Sequence, residues 1–312
     1  MPTTTHWTAP PWLQALPDQL PSWVDERPQV PWNLVGLLRS WSQHPKSMDF
    51  LDPESPNFSW KALQTRMYQE LLDGVVELSP TRPQRILDAA CGVGRFLVPL
   101  VNDGHEVVGI DACRPSLEAA ERHLVGLSQE SGKGSATLIW GDVEELVVPY
   151  DLVPDESFDV VLAMELLCYL ADPASVARSL AKRLRPGGCM VVSVEAWPGA
   201  LLTDLHAAKT VGMERCLEER VLAVPLDRWV HPFDAQELAS ILQGAGLEVL
   251  SIRGTHYLPD GPMMDLIDPN RVGTPDYDNE VLRLEAALRQ EPETAQLARA
   301  WLAVARAPET NP

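Results

Sequence analysis

The hydrophobic pattern changes near residue 84, where short apolar runs begin to alternate with amphipathic stretches. The runs are rich in Val, Ile and Leu with little polar alternation, which is typical of strands covered on both faces. Five strands are predicted, namely QRILDA (84–89), EVVGID (106–111), ATLIW (136–140), FDVVLA (158–163) and CMVVSV (189–194). Helices are predicted between them at about 95–103, 115–125 and 173–184. This repeat predicts an α/β fold with a doubly wound parallel sheet.

The C-terminal part of the chain supplies further elements of the same kind. A helix is predicted at 236–244, because Asp234 is followed three residues later by Glu237, a capping-box pattern. Residues 247–254 and 299–308 are predicted as a sixth and a seventh strand. The main domain therefore spans about 81–312.

Two stretches do not fit this repeat and are predicted insertions, at about 196–232 and 256–298. The second contains a predicted helix from about Glu280 to Gln290. Its expected buried face consists of Val281, Leu282, Leu284 and Leu288.

The N-terminal extension, residues 1–80, has a different composition. Its first 60 residues hold six of the ten tryptophans and ten of the 28 prolines. Proline interrupts regular elements and tryptophan offers large apolar surface, so we expect an irregular wrap with two amphipathic helices. One spans about Trp32 to Trp41, and the other runs from Trp60 to Val75 with Ser59 as N-cap. The extension is interpreted as a lid or a dimer contact.

Charge and cysteine content narrow the function classes. Twenty-five Lys and Arg against 44 Asp and Glu give a net charge of −19, which repels nucleic acids and anionic membranes. The five cysteines include no C-x-x-C pair, so neither a zinc site nor a disulfide framework is indicated. No apolar run suits a signal peptide or a membrane span. A cytoplasmic protein without a metal, acting on neither nucleic acid nor membrane, is expected.

Candidate binding residues lie at the carboxyl ends of the predicted strands, where this fold binds its ligand. Asp88 to Gly94 (DAACGVG) forms a tight glycine-containing turn before a helix. The second strand ends in Asp111, whose carboxylate can accept both hydroxyls of a ribose. After the third strand, Asp142 can accept from an exocyclic amine and the Val143 amide can donate to a ring nitrogen. These residues together favour an adenosine ligand.

With these motifs the chain resembles the class I S-adenosylmethionine-dependent methyltransferases over about residues 84–194. The resemblance is carried by five segments in order: ILDAACGVGRF (86–96), GIDAC (109–113), GDVEEL (141–146), FDVVLAMELLCYLADP (158–173) and LRPGGCMVVSV (184–194). Ala90 departs from the glycine that many members have at this position. The resemblance implies a Rossmann-like seven-stranded sheet, with the last strand antiparallel beside the sixth, and S-adenosylmethionine as methyl donor.

The resemblance also implies a role for each donor-binding residue. The Asp88 side chain and the Ala90 carbonyl would receive the methionine amino end, and Gly92 would allow close approach. Asp111 would hold the ribose, with Ala112 beside the adenine, and the Met164 backbone would lie near the transferred methyl. Glu165 and Tyr169 could point into the pocket, but in the family they more often begin the next helix, which is the preferred interpretation.

Other functions remain open at this point. Gly92-Val93-Gly94 with Asp111 imitates a dinucleotide fingerprint, but Leu97 replaces its third glycine. The preferred acceptor is a small, partly apolar, natural-product-like metabolite; a peptide or protein substrate and a non-catalytic donor-binding regulator are the alternatives. His231 and His256 are the candidate bases for a hydroxyl or amine acceptor, because both lie in segments that could reach the methyl. The acceptor atom is not predicted.

Overall fold

A computed structural model gives the structure of the chain. It describes residues 4–6, 32–78, 83–125, 127, 132–144, 152–197, 199–206, 217–218, 220–224 and 228–309. Within these residues, no helix has both the length and the apolar character needed to cross a membrane.

A twisted eight-stranded sheet forms the centre of the protein. The strands are β1 (Thr4–His6), β2 (Arg85–Ala89), β3 (Glu106–Asp111), β4 (Ser135–Trp140), β5 (Phe158–Met164), β6 (Leu184–Glu195), β9 (Glu248–Thr255) and β10 (Ala300–Arg306), while β7 (Leu222–Val224) and β8 (Arg228–Val230) form a separate hairpin. The sheet order is β1-β4-β3-β2-β5-β6-β10-β9. From β2 the chain continues to β3 and β4 on one side, and it then crosses back to form β5 on the other side of β2. The carboxyl ends of β2, β3 and β5 therefore meet where this fold places its ligand.

The strand directions confirm the predicted fold class. The pairs from β1 through β6 are parallel, while β10 is antiparallel to both β6 and β9. β1 adds an edge strand to the seven predicted, with Thr5 opposite Leu138 of β4. Its sequence, TTH, has no apolar residue to signal a strand, and the pairing with β4 defines it.

Helices cover both faces of the sheet. They are α1 (Trp32–Gln43), α2 (Pro45–Met48), α3 (Phe58–Leu78), α4 (Leu97–Asn102), α5 (Arg114–Val125), α6 (Pro173–Ala181), α7 (Gly199–His206), α8 (Ala235–Gly244) and α9 (Pro275–Gln290). One core contains residues of α6 and α8, such as Leu180 and Leu242. The other contains residues of α1, α3, α4 and α5, such as Trp41 and Leu97. Most of the sheet is thus buried on both faces, as the apolar runs predicted.

The helix caps explain where two helices begin. The Asp172 carboxylate accepts from the backbone N–H of Ser175 at 2.9 Å at the start of α6. Asp234 accepts from the backbone N–H of Glu237 at 2.7 Å at the start of α8, as the capping pattern predicted.

Two local predictions were wrong. α3 begins at Phe58, so Ser59 lies inside the helix instead of capping it. On α9, Leu284 is 42% exposed, because the buried face follows Tyr277, Val281 and Leu282, which pack against α3. The part of the predicted irregular wrap that contains Trp7, Trp12 and Trp23 lies outside the described residues.

Candidate functional site

A cavity of about 270 Å³ lies at the carboxyl ends of β2 to β5. Its floor is formed by the residues that follow these strands. Its roof comes from the N-terminal extension, with Leu34, Leu37 and Trp41 of α1 followed by Met48 and Phe50. Trp41 fixes this roof, because its Nε1 donates to Ser116 Oγ of α5 at 2.8 Å in a buried contact. The fold therefore encloses the predicted binding turn under an apolar cover.

The predicted donor-binding residues come together here with one exception, Asp88. Seven of the eight predicted donor-binding residues line the cavity, namely Ala90, Gly92, Asp111, Ala112, Asp142, Val143 and Met164. They come from four different strand ends that only the sheet topology brings into one place.

The turn after β2 is shaped by two glycines with different tasks. A Cβ on Gly94 would meet Val98 Cγ2 at 3.0 Å, so this glycine lets the turn pack closely on α4. Among the described residues, apart from the two chain neighbours, no atom lies within 4 Å of where a Cβ on Gly92 would be, so the space beside this glycine is open to a ligand. Ala90 adopts a positive φ of 62° between β2 and the turn, where a glycine is usually found.

Asp111 locks the turn and faces the cavity. Its Oδ2 accepts from the backbone N–H of Gly92 and its Oδ1 from that of Cys113, both at 2.7 Å. Burial raises the pKa of this carboxyl to about 6, although the two backbone hydrogen bonds work in the opposite direction. Each carboxylate oxygen keeps lone-pair capacity, so the group can also accept from ribose hydroxyls.

The adenine-side residues are held by the end of β4. The backbone N–H of Gly141 donates to the Asp111 carbonyl at 3.1 Å, and Trp140 Nε1 donates to the Ala112 carbonyl at 2.9 Å. Asp142 Oδ1 accepts from the backbone N–H of Glu144 at 2.9 Å. These bonds fix Ala112 and Asp142 on adjoining walls, an arrangement that fits an adenine ring.

Asp88 lies behind the turn and is absent from the cavity wall. Its side chain is buried, and neither carboxyl oxygen has a hydrogen-bond partner among the described residues. Burial, and then the negative charge of Asp111, raise the pKa of Asp88 to about 7. A direct bond from Asp88 to the donor remains a prediction.

Neither predicted base lines the cavity. His231 Nε2 lies 3.3 Å from Glu237 Oε1, and its ring packs edge-on against Phe233. His256 is buried, with its ring centroid 4.8 Å from that of Tyr68. Burial lowers the pKa of His256 to about 3, although the negative charge of Glu165 partly opposes this. A base role for either histidine remains a prediction.

Glu165 and Tyr169 line the cavity, which was the less preferred of the two interpretations from sequence. Leu167 to Tyr169 form a short 3-10 helix, so the chain turns at once after β5 and both side chains reach the cavity wall. Arg95, which directly follows Gly94, lines the same cavity and was not predicted as a site residue. Its Nη1 lies 3.1 Å from Glu165 Oε1. Arg95 directly follows Gly94 and Glu165 directly follows Met164 in the sequence. Because Gly94 and Met164 belong to predicted donor-binding segments, these positions could have indicated the pair from sequence.

Comparisons with known proteins identify the family of the chain. A family model described as a methyltransferase domain matches residues 63–252. The chain is similar to a ubiquinone biosynthesis O-methyltransferase from Ralstonia nicotianae, at 32% identity over 209 residues that cover 65% of this chain and 79% of the relative. The counterpart from Paracidovorax citrulli is 31% identical over 189 residues, which cover 58% and 71% of the two chains.

Solved structures share the fold at low sequence identity. A magnesium protoporphyrin IX methyltransferase from Synechocystis, crystallised with S-adenosylhomocysteine, matches with a TM-score of 0.55 and 13% identity, over 86% of this chain and 97% of that one. A methyltransferase from Methanosarcina mazei matches with a TM-score of 0.52 and 16% identity, over 76% and 98%. With the family match and the cavity residues, these findings show an enzyme whose methyl donor is S-adenosylmethionine. The chain therefore belongs to the class I S-adenosylmethionine-dependent methyltransferases.

Proposed function

We propose that the acceptor is a small, partly apolar metabolite of natural-product type that bears a hydroxyl group. The observation that carries this proposal is the roof of the cavity, where aliphatic and aromatic side chains of α1 and the following segment close over the donor-binding turn. A covered pocket with apolar walls suits a compact ligand better than an extended peptide. The net charge of −19 favours a neutral or cationic acceptor.

The names of the matched relatives support a hydroxyl group as the acceptor. The matched relatives are O-methyltransferases by name, so oxygen is the acceptor atom that we propose for this chain. When bound, S-adenosylmethionine supplies an activated methyl group for an in-line displacement.

The chain's own contribution is to align the reactants. Met164 at the end of β5 and Leu166 and Leu170 just beyond it form the wall between the donor turn and the roof. Fixing two reactants in this way can contribute about 7–11 kcal/mol in favourable intramolecular cases. Because neither His231 nor His256 lines the cavity, we assign the larger share of the rate enhancement to alignment.

We further propose that residues 1–80 act as a lid. The described part of this extension supplies the roof residues, and Asp49 anchors it through His123 Nε2 of α5 at 2.7 Å. Donor and acceptor could then enter only when this segment moves, and its closure would exclude water from the reaction.

The test is methyl transfer from labelled S-adenosylmethionine to three acceptor panels: hydroxylated aromatic compounds, amines of similar size and a peptide library. We expect product from the first panel alone, with a mass increase of one methylene group. Asp111→Ala serves as the control with weakened donor binding, in which transfer at a limiting donor concentration should fall strongly. Transfer confined to peptides, or donor binding without transfer to any acceptor panel, would overturn the proposed acceptor class.

A further inference from the structure

An ion pair of unusual placement lies at one end of the cavity. Arg95 and Glu165 both line it, although most other wall residues away from the strand ends are apolar. Arg95 is nearly enclosed, with only 9% of its side chain exposed. Burying charged groups is costly unless each of their hydrogen-bonding atoms has a partner. An atom of this pair that lacks a partner within the protein is therefore a candidate for binding a ligand.

The bonds of Arg95 leave one amino group unused. Its Nε donates to Thr65 Oγ1 of α3 at 2.6 Å, and its Nη1 pairs with Glu165 at 3.1 Å. Its Nη2 is buried and has no hydrogen-bond partner among the described residues. The guanidinium also lies near the rings of Tyr68 and Phe96, at 5.6 Å and 5.1 Å from their centroids. The group is therefore held firmly while one charged donor lacks an acceptor, which is the arrangement of a preorganised anion site.

Glu165 is the acidic partner and remains open to the cavity. Its side chain is 43% exposed. Burial opposes its ionisation, but the positive charges of Arg95 and Lys61 outweigh this effect and lower its pKa to about 2. Its backbone has a positive φ of 53°, and its N–H donates to Ser193 Oγ at 2.8 Å. Because such a conformation is unfavourable for a residue other than glycine, it must be imposed by the surroundings, which direct Glu165 toward the cavity.

A positive and a negative group side by side match a ligand that carries a carboxylate and an ammonium on one carbon. The methyl donor has such an end. Arg95 directly follows Gly94 of the donor turn, and Glu165 directly follows Met164. We propose that Arg95 and Glu165 bind the amino-acid end of S-adenosylmethionine, with Arg95 Nη2 donating to the carboxylate and Glu165 accepting from the ammonium.

This assignment gives α3 a part in donor binding. Thr65 sets the direction of the guanidinium through its bond to Nε, and the Tyr68 ring packs beside it. The N-terminal extension would then act on both ends of the cavity, with α1 above the adenosine side and α3 behind the amino-acid side. Asp88, which lies behind the turn, would be left without a direct ligand contact.

The test compares three ligands by titration calorimetry on the full chain. S-adenosylhomocysteine carries both the carboxylate and the ammonium, and methylthioadenosine lacks both. Decarboxylated S-adenosylmethionine keeps the ammonium without the carboxylate and also carries the sulfonium charge, so each variant is compared with wild type for the same ligand. The wild-type chain should bind S-adenosylhomocysteine at least about tenfold more tightly than methylthioadenosine, since hydrogen bonds to charged groups are at stake. Equal affinities would overturn the proposal without any variant.

The variants then separate the two residues. Arg95→Met should weaken binding of S-adenosylhomocysteine by about 10- to 100-fold and leave the other two ligands within about threefold of wild type. Glu165→Gln should weaken both ligands that carry the ammonium and leave methylthioadenosine unchanged. Arg178→Met, on the exposed side of α6, is the matched control and should change no affinity.

Unchanged binding of methylthioadenosine also reports that the site is folded. If Arg95→Met weakened all three ligands alike, Arg95 would be a structural residue and the proposal would fail. If it raised only the KM of an acceptor, the carboxylate would belong to the acceptor and the donor assignment would fail. Should Arg95→Met not fold, Thr65→Val, which removes the bond to Nε, must still show a loss confined to S-adenosylhomocysteine.

Discussion

Asp111 locks the turn through two backbone hydrogen bonds and is expected to bind the ribose, and its replacement should affect stability and donor binding by different amounts. In Asp111→Ala, the backbone N–H groups of Gly92 and Cys113 lose acceptors that lie at 2.7 Å, and the expected ribose contact is lost as well. A hydrogen bond to a charged group contributes about 1.5–3 kcal/mol, so the lost ribose contact alone should weaken donor binding by about 10- to 150-fold.

The effect on stability should be smaller than the effect on binding. Burial raises the pKa of the Asp111 carboxyl from 3.8 to about 6, so the buried charge already offsets part of what its two backbone bonds contribute. We expect the unfolding temperature of the ligand-free protein to fall by less than about 5 °C. Asp111→Asn should be no milder than Asp111→Ala, because either orientation of the amide brings its NH₂ group against a backbone N–H.

The assay is calorimetric titration with S-adenosylhomocysteine, with differential scanning calorimetry of the ligand-free protein alongside it. Asp172→Ala is a matched control, since it removes a carboxylate that also accepts from a backbone N–H but lies at the start of α6, away from the cavity. A dissociation constant for Asp111→Ala within about threefold of wild type, in a folded protein, would refute the reasoning.

Three further predictions concern the roof, the turn and the histidines. Trp41→Phe removes the buried hydrogen bond to Ser116 at 2.8 Å, which contributes about 1 kcal/mol to holding the roof in place. S-adenosylhomocysteine should therefore dissociate about fivefold faster in stopped-flow measurements, and an unchanged dissociation rate would argue against the lid. The pKa of Asp88 rises from 3.8 to about 7 on folding, so the folded protein binds this proton more tightly than the unfolded chain does. The free energy of unfolding should therefore decrease as the pH rises from about 4 to 7. Asp88→Asn should therefore raise the unfolding temperature of the ligand-free protein more at pH 8 than at pH 5, and an equal change at both would contradict it. His231→Gln should leave kcat within about threefold, whereas a loss of about 100-fold or more would identify a general base.

The sheet and the adenosine side of the site could be predicted from sequence because they depend on local pattern and topology. Every residue of β5 is buried, so its apolar run carries a clear signal. Asp111 and Asp142 each follow such a run, and the fold itself brings the carboxyl ends of parallel strands together. β1 could not be predicted, because the pairing of a three-residue polar segment depends on where the N-terminal chain passes the sheet edge.

The amino-acid side of the site depends on contacts between segments that are distant in the chain. Arg95 is directed by Thr65, which is 30 residues away, and Glu165 by a backbone conformation that no propensity favours. His256 follows β9, as predicted, yet the Tyr68 ring of α3 packs against it and the cavity wall does not include it. Sequence pattern places a residue at the end of a strand, but the packing of the N-terminal extension decides which side chains reach the cavity.

A crystal structure of the complex with S-adenosylhomocysteine tests the central claim most directly. The account predicts the ribose hydroxyls within hydrogen-bonding distance of the Asp111 carboxylate, the adenine beside Ala112 and Asp142, and the roof of α1 closed over the ligand. A ligand bound outside this cavity, or bound within it without contact to Asp111, would contradict the account.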